Sequence, residues 1–309
     1  MALVFTNPPG EGGAAAKAAA PLASHRPGRL PRNRAWIGLV PFLAFLVIFL
    51  IIPALSVFSQ ALRDPDSTFG TTAMRDAFSG QNLEAFTFSI TFSAGAAAVG
   101  TVLGTVLAYV AASVRRPRWL RNAVTSFSGV AANMGGLPLA FAFLSLLGRQ
   151  GLGTKMMKAI GVDLYAGDFG LGEVSGLITV YSYFNIPLML LVILPAIDGL
   201  RPAWREACQS LGGNHLVYWR RVGIPVLLPS ILGGFILLFA NSFSAYATAA
   251  QLTDNSRIVP LRIGFFLGGD VSVGEDAVGY ALAAWMIVIM GVSMTGYWIL
   301  RRRAERWQS

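Results

Sequence analysis

The chain has 309 residues, 54% of them hydrophobic and 13% charged, with a mean hydropathy of +0.59. Soluble domains carry about 25% charged residues, so this balance excludes an ordinary soluble protein and indicates an all-α polytopic membrane protein. The net charge of +9 does not indicate nucleic acid, because the basic residues flank apolar runs and form no single patch.

One cysteine, Cys208, excludes an intramolecular disulfide and a thiolate metal cluster. Two histidines, His25 and His215, argue against a histidine metal site, and no metal or cofactor is expected. Cys208 reads as a buried small residue and His215 as a polar loop residue.

Residues 1–33 are rich in Gly, Ala and Pro and bury no core, so a disordered tail is expected there. The apolar run 36–57 is too long for the core of a signal peptide and predicts a retained first span within 34–60, kinked or ended by Pro53. Five further runs, at about 86–113, 124–147, 174–194, 222–250 and 278–300, each reach the ~20 residues that cross a hydrocarbon layer. Gly95, Gly100 and Gly104 in the second predict close helix packing. Gly135, Gly136 and Pro138 predict a bend or an unwound point in the third. Pro187 and Pro229 predict irregularity in the fourth and fifth.

With a cytoplasmic N-terminus, 17 of the 24 Lys and Arg residues fall on the inside. The positive-inside rule therefore predicts six spans with both termini cytoplasmic. The outer loops, about 61–85, 148–173 and 251–277, are too short to be domains but long enough to receive an extracytoplasmic partner. Their carboxylates, among them Asp163, Asp168, Asp270, Glu275 and Asp276, read as solvated loop charges, and 270–276 matches a calcium loop poorly.

The spans hold no central ionisable residue, so a proton relay is absent and the energy for any transport comes from elsewhere. No phosphate-binding loop, nucleophile elbow, zinc-protease helix or dinucleotide fingerprint occurs. Uncharged polar residues do cluster in the spans. Asn133 precedes the double glycine, Tyr181 and Asn185 share a helical face, and Asn241, Ser244 and Thr248 share another. Two readings stay open: a polar translocation path, or hydrogen bonding between helices.

The amphiphilic stretch 205–230 falls between the fourth and fifth spans and reads as helix, turn, helix. Glu206-Ala207-Cys208, three residues, Gly212, nine residues, then Val222-x-Ile224-Pro225 resembles the EAA loop of binding-protein-dependent ABC importer permeases of the MetI-like superfamily. Cys for the second alanine, Val for isoleucine and Ile for leucine keep size or apolarity. The resemblance covers about 82–303, with the loop at 201–225, and in texture (135–143, 183–188 and 195–207) is similar to the spermidine/putrescine-type permeases.

That resemblance implies a non-catalytic subunit of a prokaryotic plasma membrane. Its implied partners are a second, non-identical permease, a cytoplasmic ATPase dimer and an extracytoplasmic solute-binding protein, besides membrane lipids. It implies that Glu206, Ala207, Gly212, Leu216, Trp219, Arg220, Arg221 and Pro225 form the contact coupled to the ATPase, with Glu206 in the first turn of its helix and Leu211, Leu216 and Trp219 giving apolar contact. The implied substrate is a polyamine. The same architecture importing iron, thiosulfate or phosphonate is an alternative, and a membrane-embedded enzyme is a third reading, disfavoured because no catalytic pair lies in the spans.

Overall fold

The computed structural model describes residues 35–63, 69–113, 118–253, 257–268 and 276–306. The tail expected at 1–33, and with it Asp270 and Glu275, lies outside the described residues. Among the described residues the structure is helical, and the one β pairing is an isolated bridge between Arg63 and Phe69. The chain divides into two compact units, Met1–Ile51 and Ile52–Ser309.

The first unit holds helix α1 (Ala35–Leu46) and a π-helical turn, Val47–Ile51. Phe42, Phe45, Phe49 and Leu50 are exposed, as expected for side chains whose solvent is hydrocarbon.

The second unit opens with α2 (Ile52–Ala61). The first apolar segment, Leu39–Ala61, passes as one candidate span, so the chain neither stops at Pro53 nor ends at 57. Proline lacks the N–H of the helical ladder, and the ladder widens to π geometry in the turn just before it.

Helix α3 (Thr72–Asp76) is short, and α4 (Gly80–Ser113) is the longest element. Next come α5 (Arg118–Asn133), α6 (Leu137–Leu147), α7 (Leu152–Ala159) and α8 (Val174–Asp198). The third apolar run is broken: Trp119–Asn133 and Leu137–Ala159 meet at 99°. Gly136 (φ 78, ψ −150) supplies the left-handed corner and Pro138 opens the next helix, as the glycine pair predicts.

The remaining helices are α9 (Pro202–Ser210), α10 (His215–Tyr218), a second π turn (Trp219–Gly223), α11 (Ile224–Ser244), α12 (Ala249–Leu252), α13 (Val259–Leu267) and α14 (Asp276–Arg306). Among the described residues five helices pass alone as candidate spans, and the bent pair, counted as one span, brings them to the six expected.

Two expectations need correction. Pro187 and Pro229 sit inside uninterrupted α8 and α11; each removes one N–H donor, a loss a packed helix absorbs. The irregularity lies instead at the π turn before Pro225 and after Ser244, where Ala245 leaves helical geometry (ψ 114).

Helix α4 packs most extensively on α8. A Cβ on Gly100 would lie 2.6 Å from the Asn185 Cβ, and one on Gly104 would lie 2.6 Å from the Ile186 carbonyl oxygen. The glycines let two backbones approach where lipid offers no hydrophobic drive between helices. Three buried clusters follow. One forms around Phe92, Leu177 and Tyr181, a second around Phe86, Phe243 and Leu282, and a third around Met189, Ile193 and Leu238.

Candidate functional site

The link between α8 and α11 is built by local rules. Helix α9 begins with Pro202 at its first turn, where a missing N–H costs nothing. It ends in a paired cap: the Gly213 N–H donates to the Cys208 carbonyl at 2.8 Å and the Gly212 N–H to Gln209 at 2.9 Å. Gly212 stands at φ 79, the left-handed residue this cap requires. A Cβ on Gly213 would lie 2.6 Å from Cys208 Sγ, so the sequence Gly-Gly serves two separate needs. Asn214 then caps α10, its Oδ1 accepting from the Val217 N–H at 2.9 Å.

The expected contact residues divide. Leu211 (88% exposed) and Leu216 (74%) flank the turn with nothing covering them. Glu206, Ala207, Arg220 and Arg221 are also exposed, and Pro225 lies exposed in the first turn of α11. Trp219 is placed otherwise. Its ring packs edge-on against Tyr109 of α4 at 5.1 Å, and its Nε1–H donates to His215 Nε2 at 3.2 Å. It joins the loop to the helices instead of facing outward. Glu206 stands at the fifth position of α9, past the first turn expected for it, and that turn holds no acidic residue; the attraction of a first-turn carboxylate to the helix N-terminus is lost with it. The second helix of the loop is also not separate, because α10 runs through the π turn into α11 as one candidate span, His215–Ser244.

Two cavities border this loop. One of about 530 Å³ is lined by Trp204, Cys208, Leu211, Val217 and Val222. The other, about 500 Å³, lies where α4 and α8 end, among Tyr109, Arg201, Arg205, His215 and Tyr218. An ion pair between Arg121 and Asp198 ties α5 to α8 at the same end.

The polar residues of the spans also divide. Asn185 is fully buried, and its Nδ2–H donates to Ser242 Oγ at 2.8 Å between α8 and α11. Tyr181 is buried against Phe92, and its hydroxyl donates to the Ala245 carbonyl at 3.2 Å. Thr248 does not share a face with Asn241 and Ser244, since α11 ends between them. It is buried and hydrogen-bonded to Gly136 at the break between α5 and α6. Asn133, Asn241 and Ser244 remain exposed, their side chains held only by bonds within their own segments where bonded at all.

At the opposite end, Arg262 of α13 is only 9% exposed. Its Nε donates to Asn82 Oδ1 and its Nη2 to Gln81 Oε1 at 3.3 Å, while Asn82 Nδ2 reaches the Asp76 carbonyl at 3.0 Å. Burial lowers the Arg262 guanidinium from its ordinary value, opposed by the charge of Glu84. Sequence reasoning missed this anchor; a lone arginine inside the apolar run of α13 is its signal. Arg257 pairs with Glu173 at 2.6 Å nearby. An open cavity of about 820 Å³ lies among Arg149, Tyr165, Asp168 and Glu173. Burial raises the Tyr165 hydroxyl above its ordinary range, offset in part by Arg149, and it donates to the Leu147 carbonyl at 2.6 Å. Asp163 pairs with Lys158 at 3.5 Å, as a loop charge does. Among the described residues no group of acidic, histidine or cysteine side chains is placed to hold a metal.

Comparison with known proteins adds three findings. The family profile of the binding-protein-dependent transport system inner membrane component matches residues 100–306. Similar curated proteins include a spermidine/putrescine transport system permease homolog of Mycoplasma genitalium, 26% identical over 38% of this chain and 40% of that one. A thiamine transport permease of Escherichia coli is 24% identical over 55% of this chain and 30% of its own length. A sulfate transport permease of Salmonella typhimurium is 28% identical over 26% and 29%. The chain thus matches less than half the length of each of these relatives. Among solved structures, a bacterial ABC transporter that imports the acidic polysaccharide alginate has the same fold, with a TM-score of 0.64 at 19% identity, over 89% of this chain and 96% of that one. The chain belongs to the inner membrane components of binding-protein-dependent transport systems, the permease subunits of ABC importers.

Proposed function

We propose that this permease carries a small solute across the plasma membrane of a prokaryote, with both termini cytoplasmic, and that the turn between α9 and α10 transmits the ATPase stroke. The observation that carries this reading is the exposed apolar pair Leu211 and Leu216, presented on a turn that its own caps hold rigid. Exposed leucines on a built turn, next to Arg220 and Arg221, fit a groove on a protein partner better than open solvent. The partners are two cytoplasmic ATPase subunits, a second permease and an external solute-binding protein.

In this mechanism ATP-driven closure of the ATPases moves the turn. Because α10 continues into α11 without a break, that motion passes directly into the fifth span. Asn133, Asn241 and Ser244, exposed on apolar helices, line the path shared with the second permease, where each polar group finds water or substrate. Asn185, Tyr181 and Thr248 hold the helices that shape it. The Arg149–Glu173 cavity at the far end receives the binding protein.

The substrate we assign is a polyamine, supported by the similarity to the spermidine/putrescine permease homolog and by the texture of 135–143 and 183–188. No carboxylate lines the path, so selection of a cation falls to the binding protein. The coupling role is tested in a reconstituted complex carrying Glu206→Lys, where ATP hydrolysis persists and uptake is lost; unchanged uptake refutes it. The substrate is tested by calorimetry of the cognate binding protein with spermidine and putrescine, and absence of heat with both removes polyamines.

A further inference from the structure

The 500 Å³ cavity beneath the loop has chemistry that the coupling role does not use. Its walls come from four elements: the last turn of α4, the end of α8, the start of α9, and α10 with the π turn. Arg201 and Arg205 line it, and neither has an acidic partner among the described residues. The one carboxylate on its wall, Asp198, is already paired with Arg121. The lining is therefore cationic by the two arginines.

Its polar groups are also unspent. Tyr218 is only 6% exposed, yet its hydroxyl has no hydrogen-bond partner among the described residues. Arg205 lies close enough to act on that hydroxyl electrostatically. His215 accepts the Trp219 indole N–H through Nε2, so a neutral imidazole carries its proton on Nδ1 and keeps one donor free. Two guanidinium forks, a phenol O–H and an imidazole N–H can all donate into the cavity, while its one carboxylate is engaged by Arg121. The Tyr218 hydroxyl is not sealed in the core: it opens on the cavity and is free to donate there.

We infer that this cavity seats a phosphate group, most naturally the phosphodiester of an anionic lipid headgroup. A lining rich in unspent donors, with two arginines among them, is the chemistry that recognises phosphate. The cavity opens at the ends of spans, where Tyr109, Tyr218 and Trp219 form the aromatic ring typical of the headgroup layer. The consequence is mechanical. A headgroup held by Arg201 and Arg205 at the start of α9, and by Tyr218 on the helix that becomes the fifth span, cross-links the two arms of the turn and sets its angle to the membrane. The inference rests on the spans crossing the bilayer with this end at its surface, and not on the ATPase contact itself.

The test uses the full chain purified with its partner subunits in detergent, titrated with dioctanoyl phosphatidylglycerol, dioctanoyl phosphatidylcholine and inorganic phosphate. Phosphatidylglycerol binds the native protein tightly and phosphatidylcholine weakly. With each surface arginine worth ~1 kcal/mol toward an anionic headgroup, Arg201→Gln with Arg205→Gln weakens phosphatidylglycerol binding about 30-fold. Tyr218→Phe weakens it several-fold at unchanged thermal midpoint, and Arg220→Gln, which removes a charge outside the cavity, changes it less than about twofold. Protection by inorganic phosphate matching that by phosphatidylglycerol keeps the phosphate seat and reassigns its occupant to a free anion. Equal binding of the two lipids, or equal losses in Arg220→Gln and the double variant, overturns it. Loss of coupled transport in Glu206→Lys with lipid binding intact separates this site from the ATPase contact.

Discussion

Thr248 bonds twice to Gly136: its Oγ1 accepts from the Gly136 N–H at 2.9 Å and donates to the Gly136 carbonyl at 3.2 Å. The two residues stand at the two places where apolar runs are broken, 112 positions apart. One hydroxyl thus satisfies the Gly136 N–H at the corner between α5 and α6 and adds a second donor to a carbonyl that also accepts from the Ala140 N–H at 3.2 Å. In hydrocarbon such groups have no water to turn to, so the second break stabilises the first.

Thr248→Val keeps the shape and removes both bonds. Leaving the Gly136 N–H unpaired costs about 1–3 kcal/mol, while its carbonyl keeps the bond from the Ala140 N–H. The thermal midpoint of the purified chain falls accordingly, and hydrogen exchange at 134–137 accelerates, while Thr248→Ser retains most of both. A Val variant with native exchange in that segment shows the corner to be held by packing alone.

The break after Ser244 also marks the limit of what sequence conveys. Residues 245–248 read Ala-Tyr-Ala-Thr, with no proline or glycine, and local propensity continues the helix through them. What ends it is tertiary: Tyr181 bonds the Ala245 carbonyl and Thr248 bonds Gly136. The opposite holds at Pro187 and Pro229, where a strong local breaker is overruled by neighbouring helices. Hydropathy found six spans, and Gly135 and Gly136 marked the bent one, because both signals are local. The loop was legible as a motif for the same reason. That Trp219 turns inward to Tyr109 was not, since an aromatic on an amphiphilic segment has the same sequence signature whichever way it faces.

The glycines inside α4 are not equivalent. On Gly104 a methyl group would meet the Ile186 carbonyl oxygen at 2.6 Å and Met189 Cβ at 2.5 Å, backbone-anchored atoms that cannot swing aside. On Gly95 it meets the end of the Ile178 side chain, and on Gly291 of α14 nothing within 4 Å. Gly104→Ala therefore costs about 1–3 kcal/mol as overpacking, Gly95→Ala less, and Gly291→Ala is neutral or slightly stabilising. Thermal unfolding in detergent ranks the three; equal midpoints for Gly104→Ala and Gly291→Ala contradict the close approach of α4 and α8.

Asn185 and Asn241 separate glue from path. The buried Asn185 amide bonds Ser242, and bonds between membrane helices average ~0.6 kcal/mol. Asn185→Ala lowers stability modestly and leaves the apparent KM for uptake within about twofold. Asn241→Leu, at an exposed position, leaves the midpoint unchanged and reduces uptake. Transport assays in proteoliposomes carrying the partner subunits give both numbers. A tenfold rise in KM for Asn185→Ala would move that amide into the path.

Gly212 allows shape and charge at the coupling turn to be varied separately. At φ 79 an alanine is strained by about 1–2 kcal/mol, whereas Asn and Asp enter this region with less penalty. Gly212→Asn therefore keeps the turn and its neutral surface, and transport stays near native. Gly212→Ala loosens the cap, and uptake falls in proportion to the loss of order. Gly212→Asp keeps the backbone but sets a carboxylate between Leu211 and Leu216, the exposed apolar pair, where a protein groove would have to desolvate it. That variant inserts and folds and its ATP hydrolysis persists, yet its uptake drops at least tenfold. If Gly212→Asp transports as well as Gly212→Asn, the surface around the turn is never buried, and the stroke enters α11 from somewhere else.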